Sequence, residues 1–102
     1  MQIEISGHHI EVTEAMRNNV EERLQRLVSH YPSLDKISVF LTVERKEQSA
    51  EITAQYMGAQ VAVNAKDHDL YAAIAAAAKK MDSALGHRKG QLHANDKHKP
   101  AA

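Results

Sequence analysis

Apolar residues recur along the chain with two alternating periods. Residues 2–6 alternate polar and apolar side chains, which predicts a short strand that ends near Gly7. Residues 36–45, 50–57 and 61–66 show the same alternation and predict three further strands. After the first strand, and again after the fourth, apolar residues recur every three or four positions, as in an amphipathic helix. The predicted order is strand, helix, three strands, helix.

The first helix is predicted over residues 13–30. Thr13 can cap its amino terminus, because a threonine hydroxyl accepts a hydrogen bond from a free backbone amide of the first turn. Apolar residues from Met16 to Tyr31 keep the helical period. Pro32 cannot continue a helix and therefore marks its end.

The last helix is predicted to start at Asp67 or Asp69, either of which can act as its cap. A run of alanines follows and supplies high helix propensity. The residues after 93 have no apolar pattern, so residues 94–102 are expected to form a mobile basic tail. One apolar stripe runs along this helix: Leu70, Ile74, Ala77, Met81, Leu85 and Leu92.

These elements predict an α+β fold, a two-layer sandwich in which two helices cover one face of a four-stranded mixed sheet. The helix between the first two strands allows them to pair in parallel, and this crossover connection should be right-handed. The other strand pairings should be antiparallel hairpins. Gly58-Ala59 is the expected turn between the last two strands. The predicted core comprises Ile5, Val20, Leu24, Leu41, Ile52, Val63, Tyr71, Ile74 and Met81.

Length and composition restrict the class of protein. A chain of 102 residues suits one domain, which we place at residues 1–93. There is no cysteine, so disulfides and thiolate metal sites are excluded. The sequence shows neither a membrane-length apolar run nor a signal-peptide pattern, and we therefore expect a cytoplasmic protein without a membrane partner.

Charge is distributed unevenly although the formal net charge is zero. Residues 1–78 contain seven basic and eleven acidic side chains, whereas residues 79–102 contain six basic and two acidic ones. The carboxy-terminal part is therefore positive and the rest negative. A nucleic-acid partner remains compatible with this distribution.

No motif for catalysis or for a cofactor is present. The four glycines are isolated and form no phosphate-binding loop, and no serine lies in a nucleophile elbow. His8-His9 and the series His87, His93 and His98 lack the spacing of a specific metal site. We expect no enzymatic activity, no cofactor, no metal and no small-molecule substrate.

Basic side chains follow one flank of each predicted helix. For a single flank, a solvated surface that balances charge is the simpler interpretation. Both helices should pack on the same sheet face, however, and their flanks would then form one patch suited to RNA phosphates. Phe40 stands alone on the open sheet face, which argues against a module that reads bases from a sheet. The joint patch comprises Arg23, Arg26, His30, Lys80, His87 and Lys89.

Three segments of the chain match a known family in their order and spacing. They are the segment from Gly7 to Arg17, Val43-Glu44-Arg45, and Asp69-Leu70-Tyr71-Ala72-Ala73-Ile74 followed by Lys80 and Lys89. The most specific parts are Tyr71-Ala72-Ala73-Ile74 and Thr13-Glu14-Ala15. Together these segments resemble the short hibernation promoting factors of bacterial ribosomes.

The resemblance implies the same fold, similar to a double-stranded RNA-binding domain. It also implies binding to the ribosomal RNA of the small subunit in the mRNA and tRNA channel, which would block translation during stress and stationary phase. A small ribosome modulation factor would be a partner in forming inactive ribosome dimers. By position, the family's basic residues match Arg17, Arg23, Arg26, Arg45, Lys80 and Lys89. With His30, Lys79, His87 and Arg88, they form the predicted RNA-binding set.

The short, basic segment after Leu92 favours the dimer-promoting type over a relative whose longer tail opposes dimerisation. Three alternatives stay open: that dimer-opposing inhibitor, a structured-RNA-binding module with a non-ribosomal target, and a protein-interaction domain that uses the exposed sheet face. Some positions depart from the family's pattern and predict a weaker RNA affinity. They are Ser83, His87 and Gln91, where basic residues are common, the added Asp82, and the alanines 75–78 in place of a more varied segment.

Overall fold

Six elements follow one another in the predicted order, and the predicted fold class is confirmed. The computed structural model describes residues 2–98 of the chain, and the side chains of residues 2–91. The elements are β1 (Gln2–His8), α1 (Glu14–His30), β2 (Leu34–Val43), β3 (Gln48–Tyr56), β4 (Ala59–Asp67) and α2 (Leu70–His98).

The four strands form one mixed sheet in the order β1-β2-β3-β4. β1 lies parallel to β2, with Ile3 opposite Ile37, while β2, β3 and β4 pair in antiparallel fashion. A parallel neighbour cannot be reached through a tight turn, so α1 provides the crossover. These pairings confirm the prediction, and they leave β1 and β4 as the edge strands.

The hairpin between β3 and β4 turns one residue earlier than predicted. Tyr56 pairs with Ala59, so the two turn residues are Met57 and Gly58, and the prediction of Gly58-Ala59 is wrong. Both residues have positive φ, 50° and 80° respectively, as in the turns whose twist matches the flanking strands. Glycine adopts this conformation without strain, but methionine is an unusual choice there.

The alternation in the strands places one set of side chains in a single core. Ile37, Val39 and Leu41 are buried, whereas Phe40, on the other side of the same strand, is 42% exposed. The same cluster contains buried residues of both helices, so α1 and α2 cover the same sheet face. The helical contributions are Val20, Leu24 and Leu27 from α1, and Leu70, Ala73, Ile74, Ala77, Met81 and Leu85 from α2.

Three predicted core residues are less buried than expected. Tyr71 is 39% exposed, and its inclusion in the core is wrong because Leu70 and Ile74, four residues apart, already occupy the inward stripe. Ile5 and Val63 are only half-buried. Both lie on edge strands, where one side of the residue has no neighbouring strand to cover it.

Side-chain caps begin both helices where the sequence predicts them. The Thr13 hydroxyl accepts a hydrogen bond from the Met16 amide over 3.2 Å. At the second helix, an Asp69 carboxylate oxygen accepts from the Tyr71 amide over 3.1 Å, and Asp67 accepts from the Asp69 amide over 3.0 Å. Each bond satisfies an amide near the chain's entry into the helix.

α2 extends to His98, five residues beyond the predicted boundary at residue 93. Residues 94–98 of the predicted tail thus continue α2, since no proline occurs before Pro100. That the segment is mobile stays a prediction. Residues 99–102 of the predicted tail, and the side chain of Leu92, lie outside the described residues. Neither α1 nor α2, as far as the structure describes them, has an apolar stretch long enough to cross a membrane.

Tyr31 connects the end of α1 to the middle of α2. Its hydroxyl donates a hydrogen bond to the Asp82 backbone carbonyl over 3.2 Å, and its ring meets the Tyr56 ring edge-on at 5.8 Å. Burial, followed by the neighbouring Asp82, raises the pKa of the Tyr31 phenol, so the hydroxyl keeps the proton it donates. Gly86 gives this hydroxyl room, because a Cβ atom there would lie 3.2 Å from the oxygen.

Truncation of Leu41 tests the assignment of the two sheet faces. Leu41→Ala leaves a cavity in the core and should lower the free energy of unfolding by about 2–5 kcal/mol. Phe40→Ala, one residue earlier on the open face, should cost less. Thermal or urea unfolding measures both, and equal losses would contradict the assignment.

A double-mutant cycle tests the contact between Tyr31 and Gly86. Gly86→Ala gains up to about 1 kcal/mol of helix propensity, but in the wild type the new methyl group crowds the Tyr31 hydroxyl. In the Tyr31→Phe background the hydroxyl is gone, and we expect Gly86→Ala to stabilise the protein more. Urea denaturation of the four proteins measures the difference. The same increment in both backgrounds would show that the contact does not restrict this position.

Candidate nucleic-acid interface

The basic flank of α1 lies beside its buried stripe. Arg23, Arg26 and His30 are separated by three and four residues, so they project from the same side of the helix. All three are exposed, while Leu24 and Leu27 on the neighbouring stripe are buried. Packing of the buried stripe thus fixes the direction of this flank towards α2.

A groove of about 430 Å³ separates the two helices and brings their predicted site residues together. Its basic side chains are Arg23, Arg26 and His30 from α1 and Lys79 from α2. Four of the ten predicted RNA-binding residues therefore share one concave surface. The remaining lining residues are Leu27, Ala75, Ala76, Ala78 and Asp82.

The cations of the groove are not neutralised by ion pairs. Within the part of the chain that the structure describes, the two ion pairs are Lys36 with Glu4, at 3.4 Å, and Lys66 with Glu47, at 3.5 Å. Neither includes a groove residue. Asp82 is the one acidic residue in the lining, so the groove is positive and suited to an anionic ligand.

A smaller recess of about 200 Å³ adjoins the groove on the side of α1. Arg23 and Arg26 line both cavities, together here with Asn19 and Glu22. The side-chain oxygen of Asn19 is buried without a hydrogen-bond partner. A buried acceptor of this kind is costly unless it is satisfied, so a ligand that donates a hydrogen bond would be stabilised here.

Lys80 occupies a different place from its neighbour Lys79. Its ammonium group donates a hydrogen bond to the Asn64 backbone carbonyl on the edge strand β4, over 2.8 Å. From α2, this ammonium group thus covers a backbone carbonyl of the edge strand, which has no further strand beside it. Lys80 is thus engaged within the molecule, although its ammonium group has further donors.

The basic residues in the second half of α2 lie beyond the groove. The Lys89 ammonium group is 6.0 Å from the centre of the Tyr31 ring, at the outer range of a cation–π contact. Arg88 is half-buried, and its Nε atom is buried without a partner. His87 is exposed. These three residues extend the positive surface along the helix without lining the groove.

Arg17 and Arg45 do not line the groove. Arg17 is exposed in the first turns of α1, and Arg45 is exposed in the bend between β2 and β3. This bend is held in place, since the Lys46 carbonyl lies 3.0 Å from His68 Nδ1. The structure therefore positions these two arginines away from the four basic side chains that line the groove.

Sequence reasoning missed the apolar floor of the groove. From the sequence, the alanines at 75, 76 and 78 only depart from a family pattern, whereas in the structure they line the space between the helices and their small side chains leave it open. A run of alanines beside a basic flank is the signal that could have indicated this.

Comparisons with known proteins indicate one family. The sequence model described as "Sigma 54 modulation protein / S30EA ribosomal protein" matches residues 3–93. The chain is 40% identical over 102 residues to a ribosome hibernation promoting factor of Azotobacter vinelandii, covering 99% of this chain and 95% of that protein. It is 43% identical over 89 residues to one from Pseudomonas putida, covering 87% of each.

Solved structures agree with this result. The N-terminal domain of Thermus thermophilus Protein Y superimposes with a TM-score of 0.72 at 34% identity, covering 82% of this chain and 91% of the domain. A ribosomal subunit interface protein from Coxiella burnetii gives a TM-score of 0.81 at 17% identity, covering 88% of this chain and 99% of that one. The second likeness concerns the fold alone.

The resemblance found in the sequence is thereby confirmed over nearly the whole chain. The fold of the chain, its family match and its relatives are those of ribosome-associated binding proteins, which have no enzymatic role. The chain belongs to the Sigma 54 modulation protein / S30EA ribosomal protein family, and its sequence is similar to those of ribosome hibernation promoting factors.

Proposed function

We propose that this protein binds the ribosomal RNA of the small ribosomal subunit in the mRNA and tRNA channel and blocks translation there. The surface that makes contact is the positive groove between α1 and α2, extended by the basic residues of α2. Acting with a small ribosome modulation factor in the cytoplasm, it promotes inactive ribosome dimers during stress and stationary phase.

One observation carries this proposal: four basic side chains from two helices converge on one groove, and none of them forms an ion pair in the described part of the chain. RNA phosphates are the anions that such a surface fits, because an A-form duplex is recognised by its shape and its backbone. Membership of the hibernation family supports the ribosome as the source of that RNA.

The residues outside the groove have supporting roles in this proposal. His87, Arg88 and Lys89 continue the positive surface along α2, and the Lys89 contact with Tyr31 links that part of the helix to the end of α1. Arg17 and Arg45 bind phosphates further along the RNA. Lys80 contributes less than the others, because its ammonium group already bonds to Asn64.

Neutralising two groove cations should weaken ribosome binding without unfolding the protein. Arg26→Gln with Lys79→Gln removes one cation from each helix. If each contact contributes about 0.2–1 kcal/mol, affinity for isolated small subunits should fall roughly two- to thirtyfold. The slope of log K against log salt should become shallower by about 2, one for each lost phosphate contact. Cosedimentation over a range of salt concentrations measures both quantities.

The matched control removes two cations from outside the groove, by Lys36→Gln with Lys66→Gln. These lysines form the two surface ion pairs of the described chain. Each double variant loses two positive charges, so the net charge of the protein changes equally in both. We expect the control to keep nearly the wild-type affinity and salt slope. Equal losses in the two double variants would show that overall charge, and not the groove, determines binding.

The dimer-promoting role has a separate test. Purified ribosomes incubated with this protein and the modulation factor should form dimers that sediment ahead of single ribosomes, and the protein alone should inhibit translation. The basic segment that follows the packed part of α2 motivates this expectation. A gradient profile in which the protein dissolves preformed dimers would instead favour the dimer-opposing inhibitor.

A further inference from the structure

The floor of the inter-helix groove has a different chemistry from its rim. Leu27 and the alanines at 75, 76 and 78 form an apolar floor, and the cations stand around it. A surface that only met phosphates would not need such a floor, because phosphates contact basic and polar groups. The combination of apolar floor and cationic rim matches a ligand that has one flat apolar part and one anionic part.

We propose that this groove takes up a single unpaired nucleotide of the bound RNA, with its base on the alanine floor and its phosphate at the cationic rim. The inference rests on the proposed function and adds a specific site to it. A volume of about 430 Å³ lies within the range of about 300–1,000 Å³ common for small-ligand sites.

The side chains around the groove suit each part of a nucleotide. Arg23 and Arg26 can present guanidinium planes on which a base stacks, and their charge also attracts the phosphate. The Asp82 carboxylate accepts hydrogen bonds and can bind an exocyclic amino group or a ribose hydroxyl. A carboxylate in a site for phosphate alone would be unfavourable, so its presence favours a ligand that also donates hydrogen bonds.

The nucleotide has to be unpaired. In an A-form duplex the bases are stacked and the major groove is too deep and narrow for side chains to enter. A base in a loop or a bulge can leave the stack and enter a protein pocket at lower cost. The groove therefore selects an RNA site that has a duplex for the outer cations and a bulged or looped base between the helices.

Filling the floor while keeping every charge tests this proposal. Ala76 is exposed at the groove, so Ala76→Leu fills the space without disturbing the core. As the control, Ala15→Leu places the same leucine on an exposed part of α1 away from the groove. For Ala76→Leu, the affinity for small subunits should fall by about tenfold, or about 1.4 kcal/mol, whereas the control should keep the wild-type affinity. Thermal unfolding of each variant verifies the fold.

Chemical probing of the RNA supplies a readout that general weakening would not change. At saturating protein, wild type and Ala15→Leu should protect one unpaired base from base-specific modification. Ala76→Leu should leave that base reactive while still protecting the nearby backbone from hydroxyl radicals. Unchanged affinity and base protection for Ala76→Leu would overturn the nucleotide site and leave the ribosome-binding function intact.

Two further outcomes are decisive. If the wild type fails to cosediment with small subunits, the proposed function fails and this site fails with it. A nucleoside 5′-monophosphate can be added to the isolated protein as a separate probe. Binding of this probe that Ala76→Leu abolishes, with no RNA base protected on the ribosome, would identify a free nucleotide as the ligand and overturn the RNA source.

Discussion

Packing of the α2 stripe against the sheet is the interaction on which the rest of the structure depends. Leu70, Ile74, Met81 and Leu85 are almost fully buried, and their helix packs on β3 and β4. Without this helix, the inward residues of two strands would face water. Burial of one such side chain contributes about 1.5–3 kcal/mol, so four of them contribute as much as the typical net stability of a small domain, about 5–15 kcal/mol. The same packing fixes the distance and the direction of α2 relative to α1.

Small side chains let one segment of α2 serve two surfaces. Ala73 and Ala77 are fully buried, and their size allows a close approach of the helix to the sheet. Ala75, Ala76 and Ala78, on the side towards α1, line the groove instead of filling it. Larger residues at the first pair would push the helix away, whereas larger residues at the second set would close the groove. The alanine run therefore links the packing of the core to the shape of the proposed RNA site.

Much of the fold could be predicted because it follows local patterns. Strand alternation, the Thr13 cap and the helical stripe each depend on residues close in sequence, and all three are confirmed. The misses depend on contacts between distant segments. Tyr71 is exposed because Leu70 takes the inward place, and Lys80 meets Asn64 only after α2 has packed beside β4. Likewise, the basic flanks could be predicted from helical spacing, but the groove between them depends on how closely the helices approach.

A chain with no net charge can still present a positive surface to RNA, because the Debye length at physiological salt is about 8 Å. Charges further away than this contribute little at the groove. The exposed Glu14 and Glu21 of α1 do not line it, whereas Arg26 and Lys79 do. Attraction at short range is thus set by the local cations, while the acidic remainder disfavours approach of RNA to the other surfaces. For a protein proposed to occupy one channel of the ribosome, this separation of charge gives orientation as well as affinity. A uniformly basic chain of the same size would bind RNA with more of its surface and with less selection of one orientation.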